Sequence, residues 1–253
     1  MVQGDTKMKA AVRVYESLFR MSKVAADWIT HSVECTLDAR GQYLIALSGG
    51  STPLELYQLF SEEPYTSDID WTRIIFFWSD ERCVSSESPD SNYHQAMMAF
   101  IEQLPVPLGH IHRILGERGA QAAALAYEET LLRYSDSGQS VPVFDLALLG
   151  LGEDGHTASI FPGSPMATFD NKLAVGIQMM IGETQYERVT MTPRLINAAR
   201  SVIFLVSGEK KAEAVRAALK GPDDPLHLPA QRISPQSGEL IWMLDSAAAR
   251  CLG

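Results

Sequence analysis

Four stretches of the chain are almost wholly apolar and only five or six residues long: 43–47 (YLIAL), 74–78 (IIFFW), 144–149 (FDLALL) and 201–206 (SVIFLV). Runs of that length without polar alternation read as strands buried on both faces of a parallel sheet. Residues 240–244 (LIWML) read as a last strand, and 110–114 and 187–192 as shorter ones. Between them the apolar spacing lengthens to three and four. From Val14 onward, Leu18, Met21, Ala25 and Trp28 share one face of a long opening helix, and 54–60, 91–104, 120–132, 193–199 and the stretch from Gly208 to Gly221-Pro222 read as further helices. Pro53 suits a first helical position, and Asp245 the cap of a terminal helix. Residues 161–182, punctuated by glycine, are assigned loosely. Strands alternating with helices, without repeat or linker, predict an α/β fold with a mostly parallel sheet and helices on both faces, in one domain spanning 1–253.

Four of these strands run straight into polar residues: Ser48 to Thr52, Asp80 to Arg82, Asp154 to His156 and Gly208 to Lys211. In a parallel sheet such ends open on one edge, where α/β proteins bind ligands. Gly150, Gly152 and Gly155 break the third strand, Asp154 stands where a helix could begin, and His156 follows as a titratable imidazole. The same residues fit a packed or solvent-facing histidine after an ordinary capped turn, and the local sequence leaves both readings open. The turn Gly49-Gly50-Ser51-Thr52 leaves backbone N–H groups free to face an anion. Backbone donors, hydroxyls, Arg82 and Lys211 together supply what a phosphate needs. Taken singly, each has a plainer reading: the glycines merely turn, Arg82 pairs with Asp80 or Glu81 at the surface, and Lys211 is solvated.

Composition narrows the field. The 253 residues are 46% hydrophobic and 21% charged, enough for a sizeable core, and the formal net charge of −10 argues against attraction to nucleic acid or anionic membrane. A bound anion therefore needs local cations. Cys35, Cys83 and Cys251 lack paired spacing, so neither a disulfide framework nor a thiolate zinc site is expected, and a reducing, cytoplasmic setting is. The polar residues 1–9 and the lack of any apolar run near about 18 residues lead us to expect neither signal peptide nor membrane span. The glycine turns lack both dinucleotide and phosphate-loop signatures, and His110 and His112 share a strand face without a third ligand, so no metal or redox cofactor is expected. Ser48, Ser159 and the cysteines lack a nucleophile elbow.

Taken in order, SGGSTP at 48–53, WSDERCV at 78–84, SNY at 91–93, GLGEDGHTASIFP at 150–162, ERVTMT at 187–192, NAAR followed by GEKKA to Ala212, and PAQ at 229–231 resemble the 6-phosphogluconolactonases of the pentose phosphate pathway. The related glucosamine-6-phosphate deaminases share the glycine turn, the aspartate-glycine-histidine triplet and the lysine-alanine pair. Arg82 after Asp80-Glu81, where deaminases usually carry tyrosine, and the sequence after His156 favour the lactonases. Ser85 stands where the family commonly has proline, and Lys210 beside Lys211 leaves the matching lysine open. The resemblance implies a Rossmann-like fold, a sugar-phosphate lactone as substrate and no cofactor. It implies His156 as the base, working by way of a neutral imidazole favoured by a helix N-terminus, and a phosphate grip from Gly49, Gly50, Ser51, Thr52, Arg82, Arg188 and Lys211. Asp154 is expected to cap the helix, with orienting the sugar as its alternative role, Asp80 to hold Arg82 or a sugar hydroxyl, and the protein to be a monomer or small homo-oligomer. The rivals are an amino-sugar-phosphate deaminase and a catalytically silent sugar-phosphate sensor.

Overall fold

In the computed structural model, residues 10–164, 169, 171–181 and 184–253 are described. The polar 1–9 segment and parts of the 161–182 segment, Gly182 included, lie outside the described residues. In chain order the elements are β1 (Ala11–Tyr15), α1 (Leu18–Arg40), β2 (Tyr43–Leu47), α2 (Ser51–Phe60), α3 (Tyr65–Asp68), β3 (Ile74–Trp78), β4 (Asp80–Arg82), α4 (Asn92–Ala99) and β5 (Ile111–His112). There follow α5 (Ala120–Leu132), β6 (Leu146–Leu149), β7 (Ala174–Ile181), β8 (Thr184–Met191), α6 (Pro193–Ile196), β9 (Ser201–Val206), α7 (Ala212–Lys220) and β10 (Glu239–Asp245).

Seven strands form one sheet in the order β1-β10-β9-β6-β2-β3-β5, every pairing parallel. Each residue of β2, β3, β6 and β9 is buried, so the sheet is covered on both faces, as the unbroken apolar runs predict. Leu47 lies opposite Trp78, and Leu149 opposite Phe204. This register brings the four polar loops out at the same edge.

The opening segment differs from its periodicity. Residues 11–15 form β1, an edge strand on β10, and α1 starts only at Leu18, where the Ser17 hydroxyl accepts from the Arg20 N–H. Val12 and Val14 are exposed, so no buried face marks the strand in sequence. Met21, Ala25, Ile29, Val33 and Leu37 form the helix's buried stripe, and Gly41 ends it at φ 79°.

The larger surprise is a second, antiparallel sheet in the order β4-β8-β7. The charged segment after β3 reads as a loop because three polar residues carry no apolar alternation, yet it pairs Asp80 with Thr190, Glu81 with Val189 and Arg82 with Arg188. Two further expectations fail at element ends. Residues 246–251 form turns rather than a terminal helix, although Asp245 does accept the Ala248 N–H at 2.7 Å. Pro53 is the third residue of α2, which starts at Ser51, and in that first turn its missing N–H leaves no helical bond unmade.

Candidate functional site

The end of β2 is fixed by one tyrosine. Tyr57 donates its hydroxyl to the Ser48 carbonyl at 2.6 Å and accepts the Ser48 N–H at 3.1 Å. Gly50 then turns at φ 98°, a conformation that disfavours any side chain, and α2 begins with no side-chain cap on its first N–H groups. Gly49 is required for a different reason: a Cβ there would sit 1.8 Å from Asn92 Oδ1.

At the end of β3, Asp80 is buried and accepts the Ser159 hydroxyl at 2.5 Å and the Asn92 side-chain N–H at 3.3 Å. Its charged neighbour is Arg188 Nη1 at 3.7 Å rather than Arg82, the first of the two partners expected for it. Arg82 instead donates to the Asp90 carbonyl. The opposition of Arg82 and Arg188 across the strands sets two like charges together, an arrangement that costs stability unless an anion answers it. Burial lowers the Arg188 pKa; Asp80 counters that, and Arg82 adds to it. Among the described residues, the Nε atoms of both arginines are buried without a hydrogen-bond partner.

The loop after β6 corrects the expected role of Asp154. No helix follows it; residues 157–160 close a turn instead, with Thr157 bridged to Ile160, so the helix-end argument for a neutral imidazole falls away. Asp154 Oδ1 accepts the His156 backbone N–H at 3.1 Å and lies 2.6 Å from His156 Nδ1. Partial burial works against the Asp154 carboxylate. The His156 backbone N–H, together with the charge and N–H of the imidazole, outweighs that burial and holds the pKa below the ordinary carboxylate value. An ionised carboxylate can only accept, so Nδ1 carries the hydrogen, and a neutral ring presents Nε2 as its free acceptor. A Cβ on Gly152 would lie 2.0 Å from His156 Nδ1 and 2.5 Å from Asp154 Oδ1, so this glycine makes room for the pair. The imidazole packs on Phe161 at 4.6 Å between ring centres, and the Arg188 guanidinium lies 5.8 Å from the same ring. Ala158, two residues on, holds φ at 47°.

Beyond β9, Asp245 accepts the Ser207 hydroxyl at 2.5 Å and the Gly208 N–H at 3.1 Å, fixing the turn that leads into α7. Lys211 ends that turn and faces inward, whereas Lys210 is exposed.

These four loops enclose a cavity of about 330 Å³. Its wall includes Gly49, Gly50, Ser51, Thr52, Asp80, Arg82, His156, Arg188 and Lys211, every residue of the expected lactone site except Asp154, which stands behind the imidazole. Sequence reasoning passed over Asn92 and Ser207, also in the wall, and Phe161. Asn92 is 3% exposed, and its Oδ1 is buried without a partner. The signal available was its place at the first position of a helix directly after the Ser91 cap.

Other candidates are committed elsewhere. His112 Nε2 lies 2.5 Å from the Tyr134 hydroxyl, and burial lowers its pKa. Ser159 is a donor to Asp80. The three cysteines are free thiols. Among the described residues no helix is long and apolar enough to cross a membrane.

Fold and cavity together define an α/β protein whose parallel sheet opens onto a pocket lined by an imidazole, a carboxylate, two arginines and a lysine. The profile of the family described as glucosamine-6-phosphate isomerases/6-phosphogluconolactonase matches residues 17–242, and the chain belongs to that family. It is 40% identical over 227 residues to the 6-phosphogluconolactonase of Synechocystis, covering 88% of this chain and 90% of that protein. It is 35% identical over 259 residues to the probable 6-phosphogluconolactonase 2 of Oryza sativa, covering 98% of this chain and 92% of the relative. The crystal structure of 6-phosphogluconolactonase from Leishmania guyanensis superposes with a TM-score of 0.83 at 30% identity, covering 96% of this chain and 99% of that one.

Proposed function

We propose that the protein hydrolyses 6-phosphoglucono-1,5-lactone to 6-phosphogluconate, the second step of the oxidative pentose phosphate pathway, with His156 as the general base. The observation that carries this reading is the 2.6 Å contact between Asp154 and His156 Nδ1 beside a cavity whose wall holds His156 together with Arg82 and Arg188 in facing register. The names of the relatives point to the same lactone.

Asp154 keeps the proton on Nδ1, so Nε2 takes one from a water as its oxygen attacks C1 of the lactone. The tetrahedral adduct collapses by breaking the bond between C1 and the ring oxygen. The imidazolium returns its proton to that oxygen, and the new carboxylic acid ionises, so one proton is released per turnover near neutral pH. The phosphate, remote from C1, is gripped by Arg82, Arg188, Lys211 and the Gly49 to Thr52 turn. Its binding energy places the carbonyl over the base. Asp80, tied to Arg188 and Ser159, keeps the arginine wall in place. Nothing in this scheme calls for a cofactor.

The test follows freshly generated lactone by NMR against the spontaneous reaction. The reading requires faster appearance of 6-phosphogluconate with enzyme present and no ammonia from glucosamine 6-phosphate. Ammonia release would assign the site to the deaminases, and tight 6-phosphogluconate binding without turnover would make it a sensor.

A further inference from the structure

Glu81 is 2% exposed, carries a carboxylate, and takes no part in the scheme above. Its Oε1 accepts the backbone N–H of Arg82 at 2.8 Å and of Asn92 at 2.7 Å. Its Oε2 accepts the Ser91 hydroxyl at 2.9 Å and the Tyr93 N–H at 2.8 Å. All four partners are donors, and they come from the two ends of the excursion that leaves β4 at Arg82 and re-enters the fold at α4. Those two ends are the cavity residues Arg82 and Asn92, ten positions apart in sequence. The Arg82 guanidinium also donates to the carbonyl of Asp90, inside the same excursion.

Arg82 Nε and Asn92 Oδ1 are both buried and unpaired, while the main-chain N–H groups of the same residues are held by Glu81. Asn92 Nδ2 donates to the Asp80 carbonyl at 2.9 Å, which turns Oδ1 toward Gly49.

We propose that Glu81 is a positioning residue whose carboxylate closes the 82–92 excursion, so that Arg82 and Asn92 present their side chains to the substrate together. Burial raises the Glu81 pKa, while three backbone N–H groups and the Ser91 hydroxyl facing its two oxygens favour the ionised form. Glutamine has the same shape, but its NH2 group would face the Tyr93 N–H beside the Ser91 hydroxyl, or the N–H groups of Arg82 and Asn92, and that end of the clamp would open. This proposal rests on the reading of Arg82 as a phosphate ligand.

A double-mutant cycle on 6-phosphogluconate affinity, read by calorimetry alongside steady-state kinetics, tests it. Glu81→Gln should weaken binding and raise KM by about tenfold while kcat falls less than about threefold, the pattern of lost uniform binding. In an Arg82→Ala background the same substitution should cost less than about threefold, because its main route to the ligand is gone. A tenfold loss in both backgrounds, no loss in either, or a fall in kcat at constant KM would overturn the proposal. Should Glu81→Gln fail to fold, Glu81→Asp retains the charge on a shorter arm and should weaken binding by about threefold with the same dependence on Arg82. Wild-type affinity in Glu81→Asp would equally overturn it. If Arg82→Ala alone leaves affinity unchanged, the phosphate assignment itself is wrong, an outcome separate from failure of the clamp.

Discussion

Arg82 and Arg188 face each other directly across the β4–β8 pair, with Asp80 as the carboxylate nearest Arg188. Two cations in facing register repel, and Asp80 offsets that repulsion at Arg188. The proposed phosphate grip uses both guanidinium groups. Replacing Arg82 with Ala should weaken 6-phosphogluconate binding by about 1.5–3 kcal/mol, the range for a hydrogen bond to a charged group. The ligand-free protein should lose little thermal stability, because the substitution also removes a repulsion. Calorimetry and melting curves on the same sample check both signs.

The two lysines after β9 provide an internal control. Lys211 lines the cavity and Lys210 is exposed. Lys211→Ala should raise KM by about tenfold with kcat nearly intact, and Lys210→Ala should leave both constants within about twofold of wild type. Equal effects from the two would show that the lysines act through general charge alone.

Gly152 carries a packing prediction about His156. Because a Cβ there would overlap both His156 Nδ1 and Asp154 Oδ1, Gly152→Ala should force the pair apart and lower kcat by about 10²-fold, while binding of 6-phosphogluconate changes little. Loss of binding in step with kcat would mean that the whole loop, not the pair, had moved.

Asp154→Asn keeps the shape of the carboxylate and removes its charge. If Asp154 fixes the proton on Nδ1, kcat should fall by about 10- to 100-fold at nearly constant KM. An unchanged kcat would reduce Asp154 to a turn residue.

The main sheet was legible because its central strands are buried on both faces, which writes them into sequence as unbroken apolar runs such as 74–78 and 201–206. Four polar loops at one edge follow from parallel pairing alone. β1 was hidden because Val12 and Val14 sit on an exposed edge. β4 was hidden because its three residues are charged and form strand only through tertiary pairing with β8, so the partnership of Arg82 with Arg188 has no local signature. The misreading of Asp154 has a different cause. An Asp two residues before a His can cap a backbone N–H or hold an imidazole, and here one oxygen does both, so composition could not separate the roles. Glu81 looked like one more charge in a polar triplet, and only its burial against four donors reveals what it holds together.

The account stands most directly on the turnover of His156→Ala with freshly generated 6-phosphogluconolactone, followed by pH-stat with the spontaneous rate subtracted. It predicts a fall in kcat of about 10²- to 10⁴-fold with 6-phosphogluconate affinity and the melting curve retained. Turnover within a few fold of wild type, on a folded protein that still binds 6-phosphogluconate, would contradict His156 as the base.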